Sequence, residues 1–233
     1  FQLESLTGGE TIKLRSIEFD PTTEAPIAPA TLSLRAAEVD PTEENYWIVQ
    51  FVGPVKSEWG KAVSELGSNI GDYVPDNAFL VRMTPKVKDR VSELDFVRWV
   101  GPYQPAYKVS PMLMGIRGKT SPATLRNAEI KVEEYKPTPT GNMRVVVHKA
   151  DDTAAVKQKV EHLGGTVISV ERGTLRISLD ATHIEDLAGL PSVQWIEPYA
   201  RPKLTNDVAA GIIGLQPVWN NHGLDGKGQI IAV

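Results

Sequence analysis

The stretch that decides the fold runs from residue 144 to residue 199 and reads RVVVHKADDTAAVKQKVEHLGGTVISVERGTLRISLDATHIEDLAGLPSVQWIEPY. It opens with the β-branched run Val145-Val146-Val147, which favours a strand. Apolar side chains then follow at intervals of three or four, the spacing of one helix face: Val156, Val160 and Leu163. We expect Asp151-Asp152 to cap this helix and Gly164-Gly165 to end it.

A hairpin, a short helix and a final strand complete the stretch. Residues 166–170 and 174–179 are predicted strands that turn at Glu171-Arg172-Gly173, with Leu175, Ile177 and Leu179 pointing inward. Residues 193–197 form the last predicted strand. Between them, the apolar face of a second helix consists of Ile184, Leu187 and Ala188.

The start of that second helix carries its own signal. Thr182 and Glu185 have the spacing of a capping box, in which each side chain bonds a backbone amide of the other residue. The predicted order of elements is therefore βαββαβ.

The same pattern occurs earlier in the chain. Leu66-Gly67 corresponds to Leu163-Gly164 with an offset of 97 residues, and Trp99 corresponds to Trp195 with an offset of 96. Near-equal offsets at two places indicate two copies of one structural unit. Trp99 and Trp195 are expected to anchor the core or a sheet face at equivalent strand positions.

The first copy has the same elements. Its first and last predicted strands are residues 46–52 and 96–100. Pro75-Asp76-Asn77 forms the hairpin turn, and Thr84-Pro85 supplies a cap and a first-turn proline. The predicted helix faces are Trp59, Val63 and Leu66, and Val87, Val91 and Leu94. An antiparallel sheet with two helices on one face buries these stripes compactly, so we predict an α+β fold with two ferredoxin-like sandwiches in tandem.

The predicted organisation has five parts. Residues 1–45 form an extended N-terminal arm with a strand-like stretch at residues 11–19, because prolines interrupt the remainder. Residues 46–109 form the first unit and residues 143–204 the second. Residues 110–142 connect them, with a strand at residues 130–135 and the stiff Pro137-Thr138-Pro139. At residue 205 the composition shifts, and residues 223–233 indicate a turn that feeds a buried strand.

Composition excludes several classes of function. The chain has 233 residues, no cysteine, 41% hydrophobic residues and a formal net charge of -4. The lack of cysteine excludes disulfides, thiolate zinc sites, iron–sulfur clusters and a cysteine nucleophile. Interspersed acidic and basic residues argue against a nucleic-acid partner, and the apolar stretches are too short to span a membrane.

The residues show no catalytic constellation. The histidines His148, His162, His183 and His222 lack the partners expected of a metal site. Three of them lie in the second unit, which raises the hypothesis that their protonation loosens it. The glycines around Lys227 do not have the spacing of a phosphate-binding loop.

The fold class leaves several binding functions to weigh. An RNA-recognition sheet needs exposed aromatic residues on its central strands, and residues 174–179 have none. A metallochaperone needs cysteines. A tandem small-molecule-sensing regulatory module with no protease role remains as the alternative function.

The C-terminal residues resemble a known family. After the second unit come Asn206-Asp207, then Trp219, then the sequence HGLDGKGQIIAV at residues 222–233. This order is similar to the junction between prosegment and catalytic domain in subtilisin-like serine proteases, where such a stretch leads into the strand that ends at the catalytic aspartate. The first unit resembles the extra prosegment-like unit of some larger secreted members.

The resemblance implies a secreted protein without a catalytic residue in this chain, because the family's aspartate, histidine and serine would follow Val233. The chain would act as folding chaperone and inhibitor of its own subtilisin-like catalytic domain, its expected partner. The tail would lie in the substrate cleft, and the processing site would follow it. The tail consists of Arg201, Pro202, Lys203 and Leu204, and the candidate processing residues are Leu204, Thr205 and Asn206. No cofactor is implied in the chain, and calcium is expected only in the catalytic domain.

Overall fold

Each copy of the repeated pattern forms a four-stranded antiparallel sheet with two helices. The computed structural model describes residues 11–23, 26, 28–34, 40–115, 142–200 and 212–222. Contacts group the chain into two bodies, Phe1–Tyr199, which holds both sheets, and Ala200–Val233. The predicted strand at residues 130–135, Pro137-Thr138-Pro139 and the motif at residues 223–233 lie outside the described residues.

The strands are β1 Ile12–Lys13, β2 Glu18–Phe19, β3 Asn45–Phe51, β4 Asn69–Val74, β5 Ala78–Met83, β6 Val97–Pro102, β7 Asn142–Val147, β8 Thr166–Glu171, β9 Thr174–Ser178 and β10 Val193–Pro198. The helices are α1 Ser57–Glu65, α2 Pro85–Ser92, α3 Thr153–His162, α4 Ile184–Ala188 and α5 Leu215–His222. Of these, α5 belongs to the second body.

The two sheets have the same topology. The first unit orders its strands β4-β5-β3-β6, and the second orders them β10-β7-β9-β8, which is the same sequence of equivalent strands read from the other edge. Trp99 pairs with Gln50 and Trp195 with Val146, so the register reproduces the offset of 96 residues. The predicted α+β class with two βαββαβ units is confirmed, and the arrangement is consistent with tandem ferredoxin-like sandwiches.

The predicted helix faces form the cores. Val63 and Val91 are fully buried in the first unit, where Trp59 and Leu66 pack against the same cluster. In the second unit the fully buried side chains include Val156, Val160, Leu175, Ile177, Ile184 and Leu187. The spacing of apolar residues therefore identified both cores.

Two of the predicted helix ends are confirmed. The Thr84 hydroxyl accepts a hydrogen bond of 3.4 Å from the amide of Val87, and Pro85 occupies the first turn. Gly67 and Gly164, the equivalent residues after α1 and α3, have φ angles of 96° and 78°. Only glycine adopts this left-handed conformation without strain, which explains why both helices end there.

Two capping predictions are wrong. The chain enters α3 through a 3-10 turn at Ala150–Asp152, and neither the Asp151 nor the Asp152 side chain caps the helix. Before α4, the Asp180 carboxylate accepts hydrogen bonds from the amide and hydroxyl of Thr182, at 2.9 and 2.8 Å. The predicted capping box of Thr182 and Glu185 is therefore replaced by an aspartate two residues earlier, because a 3-10 turn precedes each helix and moves its start.

The N-terminal residues differ from the predicted extended arm. The predicted stretch at residues 11–19 forms two short strands that pair with each other. Ile12 and Ile17 are fully buried and Phe19 is 3% exposed, in a cluster with Tyr46 and other residues of the helix-free face of the first sheet. The stretch packs there because that face carries apolar side chains that need cover.

Candidate functional site

The predicted tail and processing residues, from Arg201 to Asn206, lie outside the described residues. The structure describes the chain up to their start. The amide of Tyr199 donates to the carbonyl of Asn142 at 2.9 Å, which ties the end of β10 to β7, and Ala200 is exposed. Since β10 is an edge strand, the chain leaves the second sheet at its margin.

The helix-free side of the second sheet carries charged and aromatic groups, and we call it the polar face: Arg144, Arg176, Trp195, Glu197 and Tyr199. The Glu197 carboxylate accepts a bond of 3.1 Å from Arg144 and one of 2.9 Å from the indole of Trp195. The Arg176 guanidinium lies 4.1 Å from the ring centroid of Tyr199. Arg144, Arg176, Glu197 and Tyr199 therefore form a partly exposed surface of mixed charge, and Trp195 beneath them is buried.

The tryptophans at equivalent positions lie on equivalent faces. Trp99 lies over Gly101, where an added Cβ would clash with the indole, and its ring meets Phe19 of the arm edge-on at 6.1 Å. In the second unit the position equivalent to Gly101 is Glu197, which holds the Trp195 indole by a hydrogen bond. The prediction of sheet-face anchors is confirmed: Trp99 is partly buried against Phe19 of the arm, and Trp195 is 5% exposed with Arg15 of the arm over its ring.

A cleft of about 450 Å³ lies where the arm and the two units meet. Lys13, Arg15 and Asp72 line it; the Lys13 ammonium is paired with the Asp76 carboxylate at 2.9 Å, and the Arg15 guanidinium lies 5.6 Å from the Trp195 ring centroid. Asp72 of β4 accepts a hydrogen bond of 2.5 Å from the Gln194 amide of β10, which joins the two units beside the cleft. Such a cleft has the size and the polar groups to hold a small anionic or zwitterionic molecule.

The two units are joined by a segment that follows β6. Val109 forms a parallel bridge with Ile196, and the Ser110 amide donates to the carbonyl of Ile196 at 2.8 Å. A 3-10 helix at Pro105–Lys108 contacts α4 of the second unit. One continuous buried cluster therefore includes the core of the second unit and the outer face of the first.

Two basic side chains lie at this junction, one of them buried and the other partly buried with its Nε2 shielded from solvent. Lys108 is 2% exposed, its Nζ donates to the carbonyl of Leu190 at 2.8 Å, and burial lowers its pKa to about 7. His148 stacks on the Tyr46 ring with centroids 3.6 Å apart. Burial, and then the charges of Lys108 and Arg82, lower the pKa of His148 to about 3.

The other histidines lie elsewhere. His162 ends α3 on an exposed surface, His183 contacts the Asp186 carboxylate at 3.1 Å, and His222 ends α5. Among the described residues, no group of three or more acidic, histidine or cysteine side chains is placed to hold a metal ion. None of the helices in those ranges is long and apolar enough to cross a membrane.

No local pattern in the sequence singles out Lys108 or Arg15. Lys108 sits in a short segment with no helix or strand periodicity, and Arg15 lies in a stretch expected to be extended. Their positions depend on contacts between segments that are far apart in the chain. His148 was noted only as one of several histidines in the second unit.

Comparison with known proteins gives limited information. A family model described as "Domain of unknown function (DUF8729)" matches residues 13–104, which covers the arm from β1 and the first unit. The acetolactate synthase small subunit from Thermotoga maritima is similar at 14% identity, over 70% of this chain and 99% of that chain, with a TM-score of 0.19. A TM-score this low does not establish a shared fold. No curated protein matches the chain.

Proposed function

We propose that this chain is the prosegment of a secreted subtilisin-like serine endopeptidase, and that it acts as folding chaperone and inhibitor of the catalytic domain. The observation that carries the proposal is the polar face of the second sheet, directly upstream of the tail. Residues 205–233 would begin the α/β catalytic domain. The polar face would dock on that domain while the tail lies in the substrate cleft as an added strand.

The polar face suits a contact that must later be released. Its groups are charged or amphipathic, and Arg144 and Glu197 are 50% and 31% exposed in their side chains. A docking surface of this kind gives specificity and salt dependence rather than the permanence of an apolar interface. The tether of a few residues between β10 and the tail would raise the effective concentration of the tail to the millimolar range.

The second unit also benefits from a partner. It spans 62 residues, from 143 to 204, without a disulfide. A separate core of this size rarely supplies more than about 3–5 kcal/mol, and here the buried cluster of the second unit continues into the first. Binding to a catalytic domain would stabilise the folded form of both partners by mass action.

The test adds the purified chain to a subtilisin-like protease and follows hydrolysis of a chromogenic peptide. We expect slow-binding inhibition, followed by cleavage near residues 204–206 that mass spectrometry locates. A chain that ends at Ala200 should fold but lose the inhibition. Arg144→Glu should weaken it about tenfold, which corresponds to about 1.4 kcal/mol.

Lys157→Glu is the matched control, because Lys157 is an exposed cation on α3 of the same unit and does not belong to the polar face. It should leave inhibition unchanged. Equal progress curves with the full chain and with the chain ending at Ala200 would refute the prosegment function. A coding sequence in which Val233 is not followed by Asp-Thr-Gly or Asp-Ser-Gly within a few residues would refute it independently.

The second candidate is a small-molecule-sensing module without a protease role, and the cleft between the units favours it. Arg15 supplies positive charge there, whereas Lys13 is paired with Asp76, and the aromatic residues Trp195 and Tyr103 line the cleft. Calorimetry with a panel of amino acids and small carboxylates tests this function. Binding that Arg15→Ala weakens and Lys157→Ala leaves intact would support it, and no heat from any compound would reject it.

A further inference from the structure

The junction between the two units holds two basic groups, the buried Lys108 and the partly buried His148, and neither bonds to a carboxylate of the described residues. Lys108 Nζ has the carbonyl of Leu190 as its hydrogen-bond acceptor and faces the Tyr103 ring at 5.9 Å. His148 lies between Tyr46, stacked at 3.6 Å, and Tyr103, edge-on at 6.1 Å. Its Nε2 is buried and has no hydrogen-bond partner among the described residues. The junction therefore holds these groups in a setting that suits their neutral forms.

The charges around His148 and Lys108 do not offset the positive charge that protonation of either group adds. Arg82 of β5 acts on His148 with the same sign as Lys108. After burial, the negative charges of Asp152, Asp72 and Glu44 raise the pKa of Tyr46, whose ring stacks on His148. Glu44 is already paired with Arg82 at 3.0 Å, and Asp72 with Gln194. In the described part of the chain, no carboxylate bonds to either base.

We propose that the junction is an acid-sensitive latch: protonation of His148 beside Lys108 separates the second unit from the first while each unit stays folded. The inference does not depend on the prosegment function. The hypothesis from the sequence is thereby restricted to His148, since His162 is exposed and His183 contacts the Asp186 carboxylate at 3.1 Å. The contacts that would break are the Tyr46–His148 stack, the Lys108–Leu190 bond and the Val109–Ile196 bridge.

The direction of the effect follows from proton linkage. A histidine whose pKa falls to about 3 in the closed form, from an ordinary value of about 6.5, favours closure fully above pH 6.5. This contribution is lost as the pH falls from about 6.5 to about 3, by about tenfold per pH unit. At pH 5 the ratio of closed to open molecules should therefore be about fifteenfold lower than at pH 6.5, where half of the open molecules already carry the proton.

Lys108 affects closure over a higher pH range than His148 does. Its pKa of about 7 in the closed form, against about 10.5 when exposed, means that closure weakens between pH 10.5 and pH 7 and then stays level. Near neutral pH its contribution is already lost, so acid opening belongs to His148. Lys108→Met should strengthen closure at pH 7 and should not remove the response to acid.

The test uses the full chain, which has no cysteine of its own. Glu65→Cys on α1 and Glu161→Cys on α3 place one exposed dye site on each unit. Energy transfer between the dyes is followed from pH 8 to pH 5, together with far-ultraviolet circular dichroism. We expect transfer to fall below pH 6.5 while the dichroism signal is unchanged.

The variants separate the latch from general acid effects. His148→Phe keeps an aromatic ring beside Tyr46 but cannot be protonated, so transfer should persist to pH 5. His162→Gln is the matched control and should respond as the parent does. Unchanged transfer in the parent, loss of dichroism together with transfer, or the same acid response in His148→Phe would overturn the proposal.

A measurement on the parent avoids dependence on a variant that does not fold. Nuclear magnetic resonance of isotope-labelled histidines reports the protonation of His148 directly. In molecules whose energy transfer is intact, the His148 ring should stay neutral at pH 6. Ordinary titration of that ring near pH 6.5 in closed molecules would overturn the proposal.

Discussion

Replacement of Phe19 by alanine tests whether the N-terminal stretch belongs to the core. Phe19 is 3% exposed and contacts Trp99 and Tyr107, with ring centroids 6.1 and 6.0 Å apart. Truncation of a buried phenylalanine costs about 3–5 kcal/mol, because transfer energy is lost and a cavity remains. For a folded body of this length, the midpoint of thermal unfolding should fall by about 6–20 °C.

The assay is urea unfolding followed by tryptophan fluorescence, with Val52→Ala as the control. Val52 is 57% exposed, so its truncation should change the free energy of unfolding by less than about 0.5 kcal/mol. Phe19→Leu keeps most of the volume and should cost less than about 1.5 kcal/mol. A loss of less than about 1 kcal/mol in Phe19→Ala would show that the stretch does not cover the first sheet, contrary to our reasoning.

Three further predictions concern local structure. Gly164→Ala should lower the free energy of unfolding in urea by about 1–2 kcal/mol, because φ is 78° at that residue. Gly53→Ala is the control: open space surrounds Gly53, so this change should be neutral or stabilising. Equal effects of the two substitutions would contradict the prediction. Thr84→Ala should lower the free energy of unfolding by about 1 kcal/mol by removing the cap of α2, and no change would show that the 3.4 Å bond contributes nothing. Hydrogen bonds from the backbone amide and the hydroxyl of Thr182 lower the pKa of Asp180, so the stability that Asp180 contributes is present above about pH 4 and lost below it. The difference in unfolding midpoint between Asp180→Ala and the parent should therefore disappear in strong acid. A difference that stays constant with pH would contradict this.

The predictions from sequence succeeded where the signal was local. The helix faces, the strand alternation and the glycine stop at Gly164 each depend on residues within a few positions of one another, and all were confirmed. The caps of α3 and α4 were wrong because one extra 3-10 turn, worth little energy, moves the start of a helix by two or three residues. The predicted processing residues, Leu204, Thr205 and Asn206, remain predictions.

The candidate sites were predicted only in part. Trp195 was recognised from the repeat, but Glu197 was not expected to hold its indole. The cleft at Lys13 and Arg15 and the latch at Lys108 had no signal, because each brings together segments separated by 50 residues or more. Composition and spacing cannot reveal such juxtapositions.

The sequence by itself determined two copies of a βαββαβ unit, since hydrophobic periodicity and the two offsets act within each copy. Only the tertiary structure decided that the copies share one buried cluster, that the arm covers the first sheet, and that Lys108 and His148 meet between the units. The physical reason is that the helix-free face of the first sheet carries apolar residues that need cover. The apolar residues of that face are visible in the sequence, but which segment of the chain covers them depends on packing in three dimensions.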